Sequence, residues 1–229
     1  MFGEYGHTWH RGFAGYSNTQ LQALPRVTTE TGWVTQGNHP LAEDRQGKLF
    51  LNLYLSAFKR GWKYTFIYML RDDAVQGYWG LVHTDYTPKL SGTYLHNLTA
   101  ILADHTSTTP GALNYSIPGE PATVHDLLLQ KSNGSYELAV WDENASGNDS
   151  VTVNLGATYA TVKVYDPTTG VSAIQTVNNV NSIPLTLSDH PVIIEIPAPT
   201  PTHAVSRKTH GAVEDFLSSR LPSIWRART

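Results

Sequence analysis

The hydrophobic period of the chain changes between residues 105 and 122, and this change restricts the folds that the chain can adopt. Before it, apolar runs alternate with segments of helix length. After it, short strand-like runs follow one another at intervals of roughly ten residues, separated by turn dipeptides. Alternating strands and helices build parallel sheets or barrels, whereas closely spaced strands build antiparallel sandwiches. We therefore predict an α/β region followed by an all-β region.

Residues 1–105 are expected to fold as strand, helix, strand and helix. The run RVTTETGWVT is rich in β-branched residues, and WKYTFIYML is continuously apolar, as is typical of a parallel strand covered on both sides. We expect the two strands to be adjacent and parallel, with the first helix as their crossover. The predicted elements are strands at 26–35 and 62–70 and helices at 42–59 and 89–103.

Residues 122–197 show the pattern of an antiparallel β-sandwich. Asn133-Gly134 is the strongest short-range hairpin signal in the chain. Residues 106–121 are interpreted as a linker, and residues 198–229 as a Pro-rich and then basic tail that is disordered. Alternation within the strands predicts a core that contains Leu128, Leu138, Val140, Val153, Val164, Ile174 and Ile194.

Composition and charge exclude several classes of protein. The absence of cysteine removes disulfides, thiolate nucleophiles and Cys-ligated metal sites. The formal net charge of −3 provides no basic field for nucleic acid, and no apolar run is long enough to span a bilayer. The polar, weakly charged composition is common in extracellular and carbohydrate-handling proteins, although the N-terminus carries no visible signal peptide.

The first chemically informative motif is Thr-Glu-Thr-Gly-Trp, at residues 29–33. Glu30 lies inside a predicted strand, where a carboxylate is unfavourable unless it faces a polar cleft or is paired. Active sites of barrels lie where parallel strands open into loops, which favours the cleft. A structural salt bridge is the alternative interpretation.

The second motif follows the strand at 62–70. Tyr68 leads into Arg71 and Asp72, whose polar groups can bind hydroxyls or orient a carboxylate, and Trp79 follows in the loop. Aromatic faces such as those of Trp79 and Trp33 can stack on the C–H faces of sugars. Ordinary packing beneath a long loop is the alternative for Trp79.

Taken in order, these motifs resemble a known family. Thr-Glu-Thr-Gly-Trp, then Tyr-x-Leu-Arg-Asp-Asp, Tyr-Trp-Gly-Leu-Val and Thr-Pro-Lys are similar to the last quarter of a retaining (β/α)8-barrel glycoside hydrolase. The resemblance is to the large clan with catalytic glutamates on the fourth and seventh strands, especially its bacterial β-xylosidase-like members with a C-terminal β-sandwich. It implies a partial TIM barrel at residues 1–105, with Glu30 as nucleophile and Trp79 as the aromatic platform.

The chain differs from that family because it lacks about half of the barrel. A complete barrel needs about 250 residues, and no Asn-Glu-Pro motif for the acid/base residue is present. We therefore interpret the chain as the C-terminal part of such an enzyme, inactive alone. Its expected partners are an oligosaccharide or polysaccharide and the missing N-terminal half of the barrel. The resemblance implies no cofactor or metal, and a secreted or periplasmic parent enzyme.

Two further points remain open from the sequence. His7 and His10 follow the expected sixth strand, where the resemblance implies contact with sugar hydroxyls or with the nucleophile; a metal pair is the alternative, although no third ligand lies beside it. The whole chain is interpreted as a glycosidase or a fragment of one. A non-catalytic carbohydrate-binding module and a non-functional fragment are the competing hypotheses.

Overall fold

The structure is a computed structural model that describes residues 17–144 and 146–198. Its helices and a small parallel sheet come first in the chain and an antiparallel sheet follows, which confirms the predicted fold class. The described residues include two parallel strands and do not form a closed barrel. The elements are α1 (Asn18–Ala23), β1 (Arg26–Thr31), α2 (Glu43–Lys59), β2 (Trp62–Ile67), α3 (Leu90–Ile101), β3 (Val124–Gln130), β4 (Tyr136–Asp142), β5 (Asp149–Tyr165), β6 (Ala173–Leu187) and β7 (Val192–Ile196).

Strands β1 and β2 are adjacent and parallel, as predicted, but both are shorter than predicted. The chain leaves the sheet after β1 because its backbone groups bond to loops instead: Thr35 N donates to Tyr78 O over 2.9 Å. Similarly, Leu70 O accepts from Leu81 N and Val82 N in the loop that follows β2. Residues 32–35 and 68–70, which we had assigned to strands, therefore form the loops at the end of the sheet.

Helix α2 ends and begins close to its predicted limits. Glu43 and Asp44 in its first turn and Lys59 in its last turn complement the helix dipole. Gly61 ends it with a φ of +74°, and its N–H donates to Phe58 O. This left-handed conformation is the reason that glycine favours the helix terminus.

The second sheet has the strand order β3-β4-β7-β5-β6, and every pair in it is antiparallel. The Asn133-Gly134 turn joins β3 to β4, as predicted. Gly134 has a φ of +87° and donates to Lys131 O over 2.9 Å, while Asn133 Oδ1 accepts from Ser135 N. The two longest strands, β5 and β6, have 17 and 15 residues, whereas the runs at intervals of roughly ten residues predict shorter strands.

The two-layer packing of the predicted sandwich is made by bending one continuous sheet. The register of β5 against β6 shifts between Asn154 and Tyr159, where Gly156 has a φ of +69° and a Cβ would collide with Asn114 O. Beyond this bend β6 lies close to β4, although β7 and β5 separate them in the sheet. Val153 of β5 thus shares a buried cluster with Leu138 and Ile194.

The predicted core is confirmed except at one position. Leu138, Val140, Val153, Val164 and Ile194 are buried, and Leu128 packs against them while half-buried. Ile174 is 54% exposed, so its assignment to the core was wrong. It lies near the start of β6, an edge strand, where residues 174–176 are all exposed.

The two longer helices pack on the other face of this sheet. Leu51 and Leu55 of α2 and Leu98 of α3 share a buried cluster with Trp141 and Ile193. Gly47 allows the helices to approach, because a Cβ there would lie 2.6 Å from the ring of Tyr94. The helices and the five-stranded sheet are therefore held by a common apolar interface.

Residues 106–121 are more than a spacer. They contain no helix or strand, but Leu113, Tyr115 and Ile117 pack against the core of the sheet. Ser116 and Asn154 also exchange two backbone hydrogen bonds. None of the helices in residues 17–144 and 146–198 is long and apolar enough to cross a membrane.

Glu137 is a buried carboxyl on the face of β4 that contacts the helices. Burial disfavours its ionised form and raises its pKa to about 7, although Lys131 Nζ, 3.0 Å from Oε1, acts in the opposite direction. Lys131 also donates to Ile101 O at the end of α3. Glu195, opposite Glu137 in the register, has a lowered pKa because hydrogen bonds from Lys163 and Tyr165 outweigh the effect of its burial.

We predict that Glu137 makes the protein less stable as the pH rises from about 5 to about 7.5. Its folded pKa lies above the unfolded value of 4.5, so in this range the folded state holds more protons than the unfolded state. Glu137→Gln should therefore reduce the fall in the free energy of unfolding, measured by urea denaturation at both pH values. Glu195→Gln is the matched control. Its effect on the pH dependence of stability should have the opposite sign, because the stabilising effect of Glu195 is lost as the pH falls. An unchanged pH profile in Glu137→Gln would contradict the prediction.

Candidate functional site

The described candidate residues lie at one end of the parallel sheet. Glu30 and Trp33 are at the end of β1, Tyr68 follows β2, and Trp79 lies in the loop between β2 and α3. Tyr68 N donates to Thr31 O over 2.8 Å, which joins the ends of the two strands. His7 and His10 lie outside the described residues.

A bulge in β1 determines the face on which Glu30 lies. Thr28 pairs with Thr65 and Thr31 pairs with Ile67, so β1 has one more residue than β2 between these two pairs. Because Thr31 lies opposite Ile67, the preceding residue Glu30 shares a face with the neighbours of Ile67, and bulges commonly redirect a side chain in this way. Glu30 is exposed, and its carboxylate has no hydrogen bond or ion pair with the residues described, so the structural salt bridge is not found.

This face of the sheet is apolar and uncovered within the part of the chain that the structure describes. We call Val27, Glu30, Tyr64 and Phe66 the open face. Val27 is opposite Tyr64 in the register, and Tyr64 stacks on Phe66 with ring centroids 6.2 Å apart. More than two fifths of each of these apolar side chains is exposed, at 41% for Val27, 55% for Tyr64 and 54% for Phe66.

Trp79 is half-buried and packs edge-to-face against Tyr68, with ring centroids 6.4 Å apart. Gly77, with a φ of +113°, makes room for it, because a Cβ there would lie 2.6 Å from the indole Nε1. The Tyr68 hydroxyl donates to Gln76 Oε1 over 2.7 Å in the same loop. The ring of Trp79 is therefore supported on one side while part of its surface stays accessible.

Trp33 and Arg71 have different surroundings. The Trp33 ring is half-buried and packs against Phe50 of α2, with centroids 5.4 Å apart. Arg71 Nη1 donates to the Tyr86 hydroxyl over 2.7 Å, and its guanidinium lies 4.8 Å from the centroid of the same ring. Tyr86 is 71% exposed, so this pair forms a cationic and aromatic surface in the loop.

Asp72 is not available to a sugar hydroxyl in this structure, contrary to the prediction that it binds substrate. Its side chain is 1% exposed, and Lys89 Nζ lies 3.1 Å and 3.2 Å from its two oxygens. Gly80 N donates to the same carboxylate over 2.6 Å. Asp72 therefore holds the loop around Trp79 instead of facing the solvent.

Lys89 and Gln46 are buried residues that the sequence analysis did not select. Lys89 is 0% exposed and also donates to Thr35 Oγ1, while Gln46 Nε2 donates to the carbonyls of Trp33 and Trp79. Besides ending the Thr-Pro-Lys motif, Lys89 occupies the N-cap position of α3, where the helix dipole disfavours a cation and its side chain makes no capping hydrogen bond. A lysine in that position indicates a nearby carboxylate. No comparable local signal identifies Gln46.

The site therefore presents an exposed carboxylate beside partly exposed aromatic rings. Within residues 17–144 and 146–198, no group of three or more His, Asp or Glu side chains could hold a metal ion. Retaining hydrolysis of a glycoside uses two carboxyl groups about 5–5.5 Å apart. Glu30 could supply one of them.

Comparisons with known proteins show a likeness of fold. No family model and no curated protein matches the chain. A similar solved structure is that of a family 39 glycoside hydrolase from the gut symbiont Bacteroides cellulosilyticus WH2, with a TM-score of 0.57 and 16% sequence identity. The match covers 76% of this chain but only 34% of that one. At this identity the match shows the shared fold, and the chain spans about a third of the length of that glycosidase.

We predict that the buried ion pair stabilises the protein far more than an exposed one. Lys89→Met leaves the Asp72 carboxylate buried without its cation and should lower the free energy of unfolding by about 3–5 kcal/mol. Lys163→Met removes the partner of Glu195 in a pair whose side chains are 43% and 29% exposed, and should lower it by less than about 1 kcal/mol. Urea denaturation at neutral pH compares the two. Equal effects of the two substitutions would show that Lys89 is not a structural anchor.

Proposed function

We propose that this chain is the C-terminal part of a retaining glycoside hydrolase in which Glu30 is the nucleophile. The observation that carries the proposal is the exposed Glu30 carboxylate at the end of β1, which has no partner among the described residues. Tyr68, whose N–H joins the end of β2 to Thr31, contacts Trp79 beside it. The likeness in fold to a family 39 glycoside hydrolase supports it independently.

In the proposed reaction, a Glu30 oxygen attacks the anomeric carbon of the sugar. A second carboxylic acid gives its proton to the departing glycosidic oxygen, and a covalent glycosyl-enzyme forms. That second group, now a carboxylate, takes a proton from water, whose oxygen then displaces Glu30 and regenerates both carboxyls. The second carboxyl belongs to another part of the enzyme, because the sequence contains no Asn-Glu pair to supply the motif of the acid/base residue.

The proposed substrate is an oligosaccharide or polysaccharide. The accessible part of the Trp79 ring would stack on a sugar ring, with Tyr68 supporting it, and Trp33 lies at the end of the neighbouring strand. Arg71, held by Tyr86, would contact hydroxyl groups farther along the loop. The residues His7 and His10 stay part of the proposal as sugar contacts.

The alternative is a carbohydrate-binding module without catalysis. Binding modules of that kind need exposed aromatic rings. In the region from β3 to β7, the exposed large apolar residues are aliphatic: Val171 in the loop before β6 and Ile174 within β6. The exposed aromatic residues of the described chain are Phe58, Tyr64, Phe66 and Tyr86. Of these, Tyr86 lies in the loop beside Arg71, and none lies on the antiparallel sheet, which favours a sugar site at the end of the parallel sheet.

We predict that Glu30→Ala removes nearly all turnover from an extended polypeptide that includes an acid/base carboxyl. The expected loss on aryl β-glycosides is at least ~10³-fold, because no covalent intermediate can form. Added azide should partly restore turnover and give a glycosyl azide of inverted anomeric configuration, detectable by NMR. Glu120→Ala is the control, since Glu120 is an exposed carboxylate in the segment before β3. Robust hydrolysis by the present chain, unaffected by Glu30→Ala, would refute the assignment.

The proposed partner is a polypeptide that carries the remaining parallel strands of the barrel. Parallel sheets are normally covered on both faces, and a two-stranded sheet is marginally stable alone. The open face and the outer edges of β1 and β2 are uncovered within the described residues. Further strands alongside β1 and β2 would cover the apolar side chains and enclose Glu30 in a cleft.

We predict that Phe66→Glu prevents association with this partner. A buried, unpaired carboxylate on the open face would oppose the docking of apolar strands. The matched control is Ile174→Glu, because Ile174 is also 54% exposed but lies on the antiparallel sheet. The N-terminal part of a barrel, expressed separately, would be mixed with each variant, and association followed by analytical ultracentrifugation. Equal binding by both variants would exclude the open face as the interface.

A further inference from the structure

A single buried lysine connects the three segments around the proposed sugar platform. Lys89 Nζ, at the start of α3, donates to Asp72 after β2 and to Thr35 Oγ1 after β1, the latter over 2.7 Å. Its side chain is 0% exposed, and that of Asp72 is 1% exposed. Displacing any one segment would therefore break an interaction that is shielded from water and correspondingly strong.

Thr35 extends this connection to Trp79. Its hydroxyl accepts from Lys89 and donates to Tyr78 O over 3.1 Å, and its backbone N–H donates to the same carbonyl over 2.9 Å. On the other side of Trp79, Gly80 N donates to Asp72. The backbone is thus held immediately before and immediately after the tryptophan.

Gln46 provides a second connection from α2. Its Nε2 donates to Trp33 O over 2.6 Å and to Trp79 O over 3.4 Å. Gln46 is 0% exposed, so it acts on the tryptophan backbones and not on a ligand. The two tryptophans of the candidate site, which are 46 residues apart in sequence, are therefore fixed through one amide group.

We infer that Lys89, Thr35 and Gln46 are positioning residues that hold Trp33 and Trp79 in their binding arrangement before any sugar arrives. This inference rests on the proposed function, because the two rings bind sugar only if that proposal holds. A preorganised site avoids the entropy loss of ordering its loops on binding. The three residues contribute to sugar affinity only through the tryptophans that they hold.

The test measures the order of Trp79 in the free protein, without any sugar. Trp79→Phe first identifies the part of the near-UV circular dichroism and of the acrylamide quenching that belongs to this ring. Thr35→Val removes the hydroxyl that joins Lys89 to Tyr78 O. Because the freed loop opens more often, this variant should lose most of the Trp79 dichroism, and the quenching constant of Trp79 should rise roughly twofold. Thr35→Ser keeps the hydroxyl and should retain both signals. All spectra are recorded well below the unfolding transition of each variant.

Gln46→Met provides an independent variant in case Thr35→Val does not fold. It has a similar length but cannot donate to Trp33 O and Trp79 O, and the same two changes in the Trp79 signals are expected. Variants that lose stability while keeping the wild-type Trp79 signals would overturn the inference, because the three residues would then be structural only. The outcome is separate from that of Glu30→Ala: a loss of Trp79 order with no effect of Glu30→Ala on turnover would reject the proposed function and keep the positioning role.

Discussion

The buried ion pair between Lys89 and Asp72 is the interaction on which the arrangement of the candidate site depends. A lysine ammonium is expensive to remove from water, and it is tolerated here because a carboxylate, a hydroxyl and a carbonyl surround it. Those groups belong to the segments that follow β1 and β2. The same pair that satisfies the buried charge therefore determines how the ends of the two strands meet.

The local elements of the fold could be predicted from sequence because their causes are local. The apolar run before Tyr68 and the glycine at position 61 were sufficient to predict β2 and the end of α2. The Asn133-Gly134 turn was equally clear, since its left-handed glycine suits a hairpin. Each of these features depends on residues within a few positions of one another.

Features that depend on distant contacts could not be predicted in this way. The glycine at the bend, Gly156, is required because a side chain there would collide with the carbonyl of Asn114, and the exposure of Ile174 follows from the position of β6 at the edge of the sheet. Asp72 looked like a ligand for hydroxyl groups because its partner, Lys89, is 17 residues away. For the candidate site, the sequence indicated Glu30 and the aromatic rings, whereas the buried residues that support them emerged only from the structure.

Helix α2 has neighbours on several sides, and this has a consequence for how such a protein can change during evolution. Its residues Leu51 and Leu55 lie in the interface with the antiparallel sheet, while Gln46 and Phe50 contact the segments that carry the candidate site. An appended module joined only by a flexible tether can be exchanged for another without affecting its neighbour. Here, replacement of the antiparallel sheet would expose one side of α2 and disturb the helix that supports Trp33. We therefore expect the β-rich region and the segments of the candidate site to be retained or lost together.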